Sequence, residues 1–144
     1  MAKDELKIII GLHRTVNNID RQSAKIVSQY GLTMGQFAVL EALYHKGDMT
    51  VGQVQEKILS SCGTIPVIVN NLEKRGLLLR CQDAGDKRRC ILHLTEAGNK
   101  LIEQVYPLNE EKIIEMMSLW TEDEKRQLAA LLKKFGGNDN GKNN

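Results

Sequence analysis

Long apolar runs, aromatic residues and cysteines are all scarce in this 144-residue sequence. The longest apolar stretches, such as residues 8–10, fall far short of the roughly 18 residues that span a bilayer, and acids replace the basic start of a secretory signal. Three cysteines, an odd number, argue against a disulfide framework and fit reduced thiols. An aromatic content of 4% argues against aromatic cages and stacking platforms. We therefore expect a soluble, cytoplasmic protein.

Catalytic and metal-binding patterns are missing as well. The sequence has no glycine-rich phosphate loop, no nucleophile with a neighbouring base and no recognisable carboxylate pair. Cys90 and His93 are three residues apart on a predicted strand, so their side chains point to opposite faces and cannot chelate one metal. We expect no enzyme activity, no metal and no cofactor.

Positive charge is concentrated in the middle of the chain, although the net charge is only +2. Residues 61–95 hold six basic and three acidic side chains, whereas residues 96–144 hold seven basic and nine acidic ones. A basic segment of this kind is what a local anion-binding patch requires.

Capping signals divide the sequence into helices. A three-or-four spacing of apolar residues predicts a first helix over residues 4–29, followed by a break at Gly31. A threonine followed three residues later by Gln or Glu is a capping box, which starts a helix. The three such pairs are Thr33 and Gln36, Thr50 and Gln53, and Thr121 and Glu124.

A third helix is expected to start at Ser60–Ser61 and to run through Thr64 to Arg75, with Gly76 as its stop. Two short apolar runs, residues 77–82 and 90–94, then surround a charged seven-residue loop, which predicts a projecting β-hairpin. Thr95 starts a further helix, in which Pro107 should cause a kink or break. Its apolar stripe is expected to comprise Leu101, Val105, Leu108, Ile113, Met116 and Trp120.

This order of elements predicts a mainly α-helical fold with a small β-hairpin wing, which is a winged helix-turn-helix. The helix before the hairpin can enter a DNA major groove, and the basic hairpin tip can reach phosphates or the minor groove. Residues 1–144 should form one domain, with the winged helix-turn-helix at 33–98, flanking dimerisation helices at 1–30 and 100–135, and a disordered tail at 136–144. The flanking helices would expose apolar faces in a monomer, so a homodimer is expected.

The segment from Gly31 to Gly98 resembles the MarR family of bacterial transcription regulators. The matching pieces, which are specific in their order and spacing, are 31–33, 37–40, 49–51, 72–77, 86–89 and 94–98. The resemblance implies a homodimeric DNA-binding repressor that is released from a pseudo-palindromic operator by a small molecule or by oxidation. Residues 37–48 are similar to the quinone-responsive branch, which points to a phenolic or quinone-like effector.

The resemblance also implies roles for individual residues. Arg88 corresponds to a wing-tip arginine that enters the minor groove, and Asp86 to the acid that orients it. Thr64 and Asn70 lie on the DNA-facing side of the recognition helix. Family members often carry Thr where this chain has Pro66 and Arg where it has Val67, and Val67 can touch only a thymine methyl. The full expected DNA-binding set is Ser61, Gly63, Thr64, Val67, Asn70, Lys74, Arg80, Asp86, Lys87, Arg88 and Arg89.

Two signalling inputs remain open at this stage. An effector pocket between the dimerisation helices and the DNA-binding unit could use His13, Tyr30, Phe37 and Tyr44. Cys62, at the expected start of the recognition helix, could be a redox switch, because a helix N-terminus lowers a thiol pKa. Cys81 and Cys90 could face each other across the hairpin. The alternative function is a winged-helix adaptor that binds proteins and has lost sequence-specific DNA binding.

Overall fold

The computed structural model describes residues 3–58 and 64–136. In chain order its elements are α1 (Lys3–Ser28), α2 (Met34–Lys46), β1 (Met49–Thr50), α3 (Val51–Lys57), α4 (Ile65–Lys74), β2 (Leu78–Gln82), β3 (Cys90–Leu94), α5 (Glu96–Met116), a single 3-10 turn (Met117–Leu119) and α6 (Glu122–Gly136). Among these described helices, none has the length and apolar character that a membrane crossing would require.

Reciprocal capping boxes begin three of the helices, as the sequence predicts. At the start of α2 the Gln36 N–H donates to Thr33 Oγ1 at 3.1 Å, and the Thr33 N–H donates to Gln36 Oε1 at 3.0 Å. The same exchange joins Thr50 to Gln53 before α3, and Thr121 to Glu124 before α6. These bonds satisfy backbone donors that have no partner within the helix.

The hydrophobic core is centred on α2, which packs against α1, α3, α4, α5 and the sheet. Four of its apolar side chains, Phe37, Val39, Leu40 and Leu43, are buried. The apolar side of α4 is buried through Ile65, Ile68, Val69 and Leu72. Burial of this side holds the opposite side of α4 toward solvent.

The hairpin forms as predicted and gains a third strand. Strands β2 and β3 pair antiparallel, with Leu78 opposite Leu94 and Gln82 opposite Cys90. The two-residue strand β1 pairs with the other edge of β3, giving the order β1-β3-β2. Because β1 is so short and its Thr50 is also a helix cap, no alternating pattern marked it in the sequence.

The expectation that Cys81 and Cys90 could face each other is wrong. Cys81 pairs with Ile91, and Cys90 pairs with Gln82. Since neighbouring residues of a strand point to opposite faces, this one-residue offset places the two thiols on opposite faces of the sheet.

Helix α4 begins after Thr64. Thr64 has an extended backbone conformation, with φ −77° and ψ 119°, and the helix starts at Ile65. Pro66 therefore lies in the first turn, where its missing N–H costs no intrahelical hydrogen bond. The expected helix start at Ser60–Ser61 falls in residues 59–63, outside the described residues.

Of the kink or break expected at Pro107, the break does not occur, because helix α5 continues through this residue. The carbonyl that loses its donor is that of Glu103, an exposed residue at which water can replace the missing N–H. The predicted stripe is also partly wrong, because Leu108 is 40% exposed and Ile102 is fully buried in its place. The core-facing positions of α5 are Gly98, Ile102, Val105 and Asn109.

The terminal helices expose large apolar side chains, as expected for an interface. Leu6 and Ile8 on α1 are each 60% exposed, and Phe135 on α6 is 93% exposed. The predicted disordered tail starts at Gly136, which is the last residue of α6, and its remaining residues 137–144 lie outside the described ranges.

Gly98, in the first turn of α5, lies against the backbone of a neighbouring turn. A Cβ atom added there would lie 2.1 Å from the carbonyl oxygen of Leu77, in the turn between α4 and β2. Thr95, the N-cap of α5, holds the same turn: its N–H donates to Leu77 O at 3.2 Å and its hydroxyl donates to Gly76 O at 2.6 Å. Only glycine leaves room for this contact.

We expect Gly98→Ala to lower the free energy of unfolding by about 1–3 kcal/mol or more, because the added methyl group must displace the backbone at Leu77. Gly52→Ala is the matched control, since Gly52 also follows a threonine cap and its Cβ would meet nothing closer than 3.9 Å. Urea unfolding of both variants measures the difference. Equal stability of Gly98→Ala and wild type would contradict the close contact.

Candidate nucleic-acid interface

The exposed side of α4 and the neighbouring hairpin loop form one surface, which we call the α4–wing surface. Val67, Asn70 and Lys74 are exposed on α4, and Thr64 is exposed at its N-terminal end. Asp86, Lys87, Arg88 and Arg89 are exposed in the hairpin loop, residues 83–89. Ser61, Cys62 and Gly63, which the sequence placed at the same surface, lie outside the described residues.

Hydrogen bonds between residues two or three positions apart shape the loop at the wing tip. Asp86 Oδ1 accepts from the Arg88 N–H at 3.0 Å, and the Asp86 carbonyl accepts from the Arg89 N–H at 3.0 Å. Asp83 Oδ1 similarly accepts from the Gly85 N–H at 3.0 Å. Asp86 thus fixes the backbone at Arg88 through an Asx turn, in which an aspartate side chain bonds to the N–H two residues later.

The basic side chains of the wing differ in their partners. Arg89 Nε lies 3.8 Å from Asp83 Oδ2, and Arg80 Nε lies 3.9 Å from Glu73 Oε2. In the described part of the chain, no carboxylate lies within ion-pair distance of Lys87 or Arg88. Lys87 and Arg88 therefore offer uncompensated positive charge at the tip.

Arg80 also joins the wing to α4 directly. Its Nη2 donates to Asn70 Oδ1, so the guanidinium contacts both Asn70 and Glu73, which are three residues apart on the exposed side of α4. The sequence marked Asn70 and Arg80 separately, and missed Glu73. The spacing of Asn70 and Glu73 places them on one helix face, but only the packing of β2 against α4 brings Arg80 to them.

Arg75 anchors the C-terminal end of α4 to the segment that joins α1 and α2. Its Nη1 donates to the Gly31 carbonyl at 2.7 Å and approaches Gln36 Oε1 at 3.4 Å, at the turn between α1 and α2. A second cross-chain contact, His93 Nδ1 to Asp48 Oδ1 at 2.6 Å, ties β3 to the segment before β1. Neither pair has a sequence signal, because the partners are more than 40 residues apart.

A separate cavity of about 370 Å³ lies between α2 and the end of α3. Its lining consists of Ala38, Glu41, Ala42, His45, Lys46, Lys57 and Ile58. His45 packs edge-on against Tyr106 of α5, with ring centroids 4.6 Å apart, and against Tyr44 at 5.2 Å. Burial raises the pKa of Glu41, and the neighbouring His45 partly opposes that rise.

The four residues expected to line an effector pocket are dispersed. Phe37 is buried in the core, Tyr30 packs partly buried against it, and His13 is exposed on α1. Tyr44 is 39% exposed, and its closest link to the α2–α3 cavity is its contact with His45. None of the four lines that cavity. Sequence spacing did not reveal the cavity, because the gap between α2 and α3 depends on how the two helices pack.

An apolar groove runs between α1 and α6. Its lining is Lys7, Ile8, Gly11, Leu12, Thr15, Val16, Ile19, Met117, Trp120, Leu128 and Leu132. The groove joins the exposed apolar side chains of the two terminal helices into one surface. Within residues 3–58 and 64–136, no group of three or more His, Cys, Asp or Glu residues is arranged to hold a metal ion.

An exposed helix beside a projecting basic hairpin defines the class of winged helix-turn-helix proteins. Sequence comparison identifies the family: the MarR family model matches residues 32–90. The chain is 36% identical over 138 residues to the HTH-type transcriptional regulator MhqR of Bacillus subtilis, covering 96% of this chain and 95% of that protein. The chain therefore belongs to the MarR family of transcriptional regulators.

Solved structures have the same fold. A mutant MarR from E. coli complexed with operator DNA matches with a TM-score of 0.81 and 24% identity, covering 92% of this chain and 95% of that one. Bordetella bronchiseptica BpsR, whose DNA binding is regulated by 6-hydroxynicotinic acid, matches with a TM-score of 0.78 and 25% identity, covering 87% and 89%. Membership of a family of transcriptional regulators supports DNA binding and gives no support to the adaptor alternative.

The raised pKa of Glu41 predicts a pH-dependent effect on stability. Because burial raises this pKa above the ordinary value of 4.5, the folded state binds the proton more tightly than the unfolded chain does. The ionised Glu41 carboxylate therefore lowers the free energy of unfolding. This loss is absent at low pH, develops as the pH rises from 4.5 through the folded-state pKa, and is complete above it. We expect Glu41→Gln to be more stable than wild type at pH 7, with a gain that shrinks toward pH 4.

Urea unfolding at both pH values measures this gain. Glu103→Gln, on the exposed side of α5, is the control. A gain that is the same at pH 4 and pH 7 would show that the buried charge is not its cause.

Proposed function

We propose that this protein is a cytoplasmic, homodimeric repressor that binds a pseudo-palindromic DNA operator through its α4–wing surface. The observation that carries the proposal is the continuity of the exposed side of α4 with the unpaired basic tip of the wing. In this proposal residues 33–98 form the DNA-binding unit, and residues 1–30 and 100–135 supply the dimerisation helices.

Each part of the surface has a distinct task. The exposed side of α4, from Thr64 to Lys74, faces the major groove, where Val67 can contact a thymine methyl. Lys87 and Arg89 contact phosphates, and Arg88 enters the adjacent minor groove, whose negative potential attracts arginine. Asp86 supports this entry by holding the Arg88 backbone. Arg80 contacts phosphate or acts through its partners on α4.

A second copy of the chain covers the terminal helices in this proposal. Side chains as exposed as Phe135 and Leu119, at 93% and 89%, are costly in a monomer, and an apolar groove adjoins them. A two-fold dimer would place two α4 helices roughly 34–36 Å apart, one turn of DNA, to read the two half-sites.

Release from DNA requires an input, for which we propose a small aromatic effector of phenolic or quinone-like chemistry. The α2–α3 cavity is the best place for it, because it combines apolar walls with Glu41 and His45 as polar groups. The regulation of BpsR by 6-hydroxynicotinic acid supports an effector of this kind. Thiol modification stays the alternative input: Cys81 is exposed on β2, Cys90 is half-buried, and Cys62 lies outside the described residues.

We expect Arg88→Ala to weaken operator binding by about 1–3 kcal/mol, because it removes the minor-groove contact. Arg126→Ala is the control, since it removes an exposed arginine from α6, away from this surface. Both are compared with wild type on DNA from upstream of the protein's own gene and on scrambled DNA, over a salt series. Binding should weaken steeply as salt rises, because phosphate contacts release counterions.

Equal losses of operator affinity in Arg88→Ala and Arg126→Ala would show that Arg88 does not contact the DNA. Salt-independent binding to both DNA fragments would contradict the proposed function itself.

Addition of phenol, hydroquinone or 6-hydroxynicotinic acid should weaken operator binding by roughly 5–150-fold for the active compound, the usual range of coupling between two sites. Ala38→Leu fills part of the α2–α3 cavity and should abolish this response while leaving effector-free DNA affinity unchanged. Ala129→Leu, on the exposed surface of α6, is the matched control.

A variant with all three cysteines changed to serine separates effector binding from thiol modification. If this variant fails to respond to the compounds, the thiol mechanism is favoured.

A further inference from the structure

The contact between Arg80 and Asn70 determines which atoms Asn70 can offer to DNA. Arg80 Nη2 bonds to the amide oxygen of Asn70. A guanidinium has only donors, so the amide oxygen must face it and the amide NH₂ group must point away. Asn70 therefore turns its oxygen toward Arg80 and presents its two N–H donors on the side away from Arg80.

Glu73 is a second partner of the same guanidinium. Its carboxylate lies 3.9 Å from Arg80 Nε, and the two side chains are 36% (Arg80) and 41% (Glu73) exposed. If Arg80 left Asn70 to contact a phosphate, Glu73 would remain as an unpaired negative charge next to the DNA backbone. Holding Arg80 between Asn70 and Glu73 avoids that repulsion.

An asparagine with both amide atoms free matches adenine, because its oxygen accepts from adenine N6 while its nitrogen donates to N7. An asparagine whose oxygen is held toward Arg80 presents its NH₂ group and not the oxygen–nitrogen pair that adenine needs. Guanine offers two neighbouring acceptors, N7 and O6, in the major groove. The two N–H groups of Asn70 match guanine instead.

We propose that Asn70 is a specificity-determining residue that selects guanine in each half-site, and that Arg80 is the positioning residue that fixes this choice. The inference rests on the proposed DNA-binding function and adds the identity of the base to it. It assigns Arg80 to the protein side of the interface, where its bonds to Asn70 and Glu73 replace a contact with the DNA backbone.

The first experiment selects binding sites from a randomised duplex library with wild type, Asn70→Ala and Arg80→Met. Methionine keeps the length of the side chain and has no donors. The base position whose preference disappears in Asn70→Ala is the one that Asn70 reads. We expect wild type to prefer guanine over adenine there by roughly tenfold. Arg80→Met frees the amide oxygen and should shift the preference to adenine by a similar factor.

Arg89→Ala is the matched control, because Arg89 is also a wing arginine but its carboxylate partner is Asp83, within the wing. This variant should bind more weakly overall and keep the guanine preference. A variant that only damaged the fold would lower affinity for all bases together, and would not exchange one base preference for another.

A second measurement needs no change at Arg80. Replacing the selected guanine by 7-deazaguanine removes the N7 acceptor, and wild-type affinity should fall severalfold, whereas Asn70→Ala should show no further loss. The inference is overturned if wild type selects adenine at that position, if Asn70→Ala changes no position, or if Arg80→Met retains guanine. A library from which wild type enriches no sequence overturns the proposed function as well.

Discussion

The turn formed by residues 75–77, between α4 and the wing, is the constraint on which the rest of the structure depends. Arg75 ties it to the α1–α2 turn through the carbonyl of Gly31. Thr95 ties it to the start of α5 through two hydrogen bonds, and Gly98 lets the α5 backbone approach to a distance that no side chain would permit. Helix α4 is thus fixed at one end to the α1–α2 turn and to the start of α5. Its other end, at Thr64, has no side-chain cap.

This anchoring gives the proposed regulation a physical route. Hydrogen bonds across the turn couple the direction of α4 to the positions of α1 and α5, so a change in how two copies pack must also change the separation of their recognition helices. The α2–α3 cavity lies on α2, the helix that packs against α1, α3, α4 and α5. A molecule bound there would contact α2, which packs against α1 and α5 as well as against α4.

Charge on the interface is divided between two tasks. Arg80 and Arg89 have carboxylate partners on the protein, which hold them in position and leave less of their charge for DNA. Lys87 and Arg88 have no such partner among the described residues, so in the proposed interface their charge is left free to attract phosphates. The modest net charge of +2 therefore understates the field at the wing, because the acids of residues 96–144 lie elsewhere in the chain.

Local signals by themselves determined the helices, their caps and the hairpin, since a capping box such as Thr33 with Gln36, or an apolar period, involves residues only a few positions apart. They also marked Asn70 and Arg80 as interface residues. Tertiary packing alone decided the short strand β1, the late start of α4, the continuity of α5 through Pro107 and the pairing of Arg80 with Asn70. The physical reason is the same in each case: the deciding partner is brought close by the fold, and neither spacing nor composition records it.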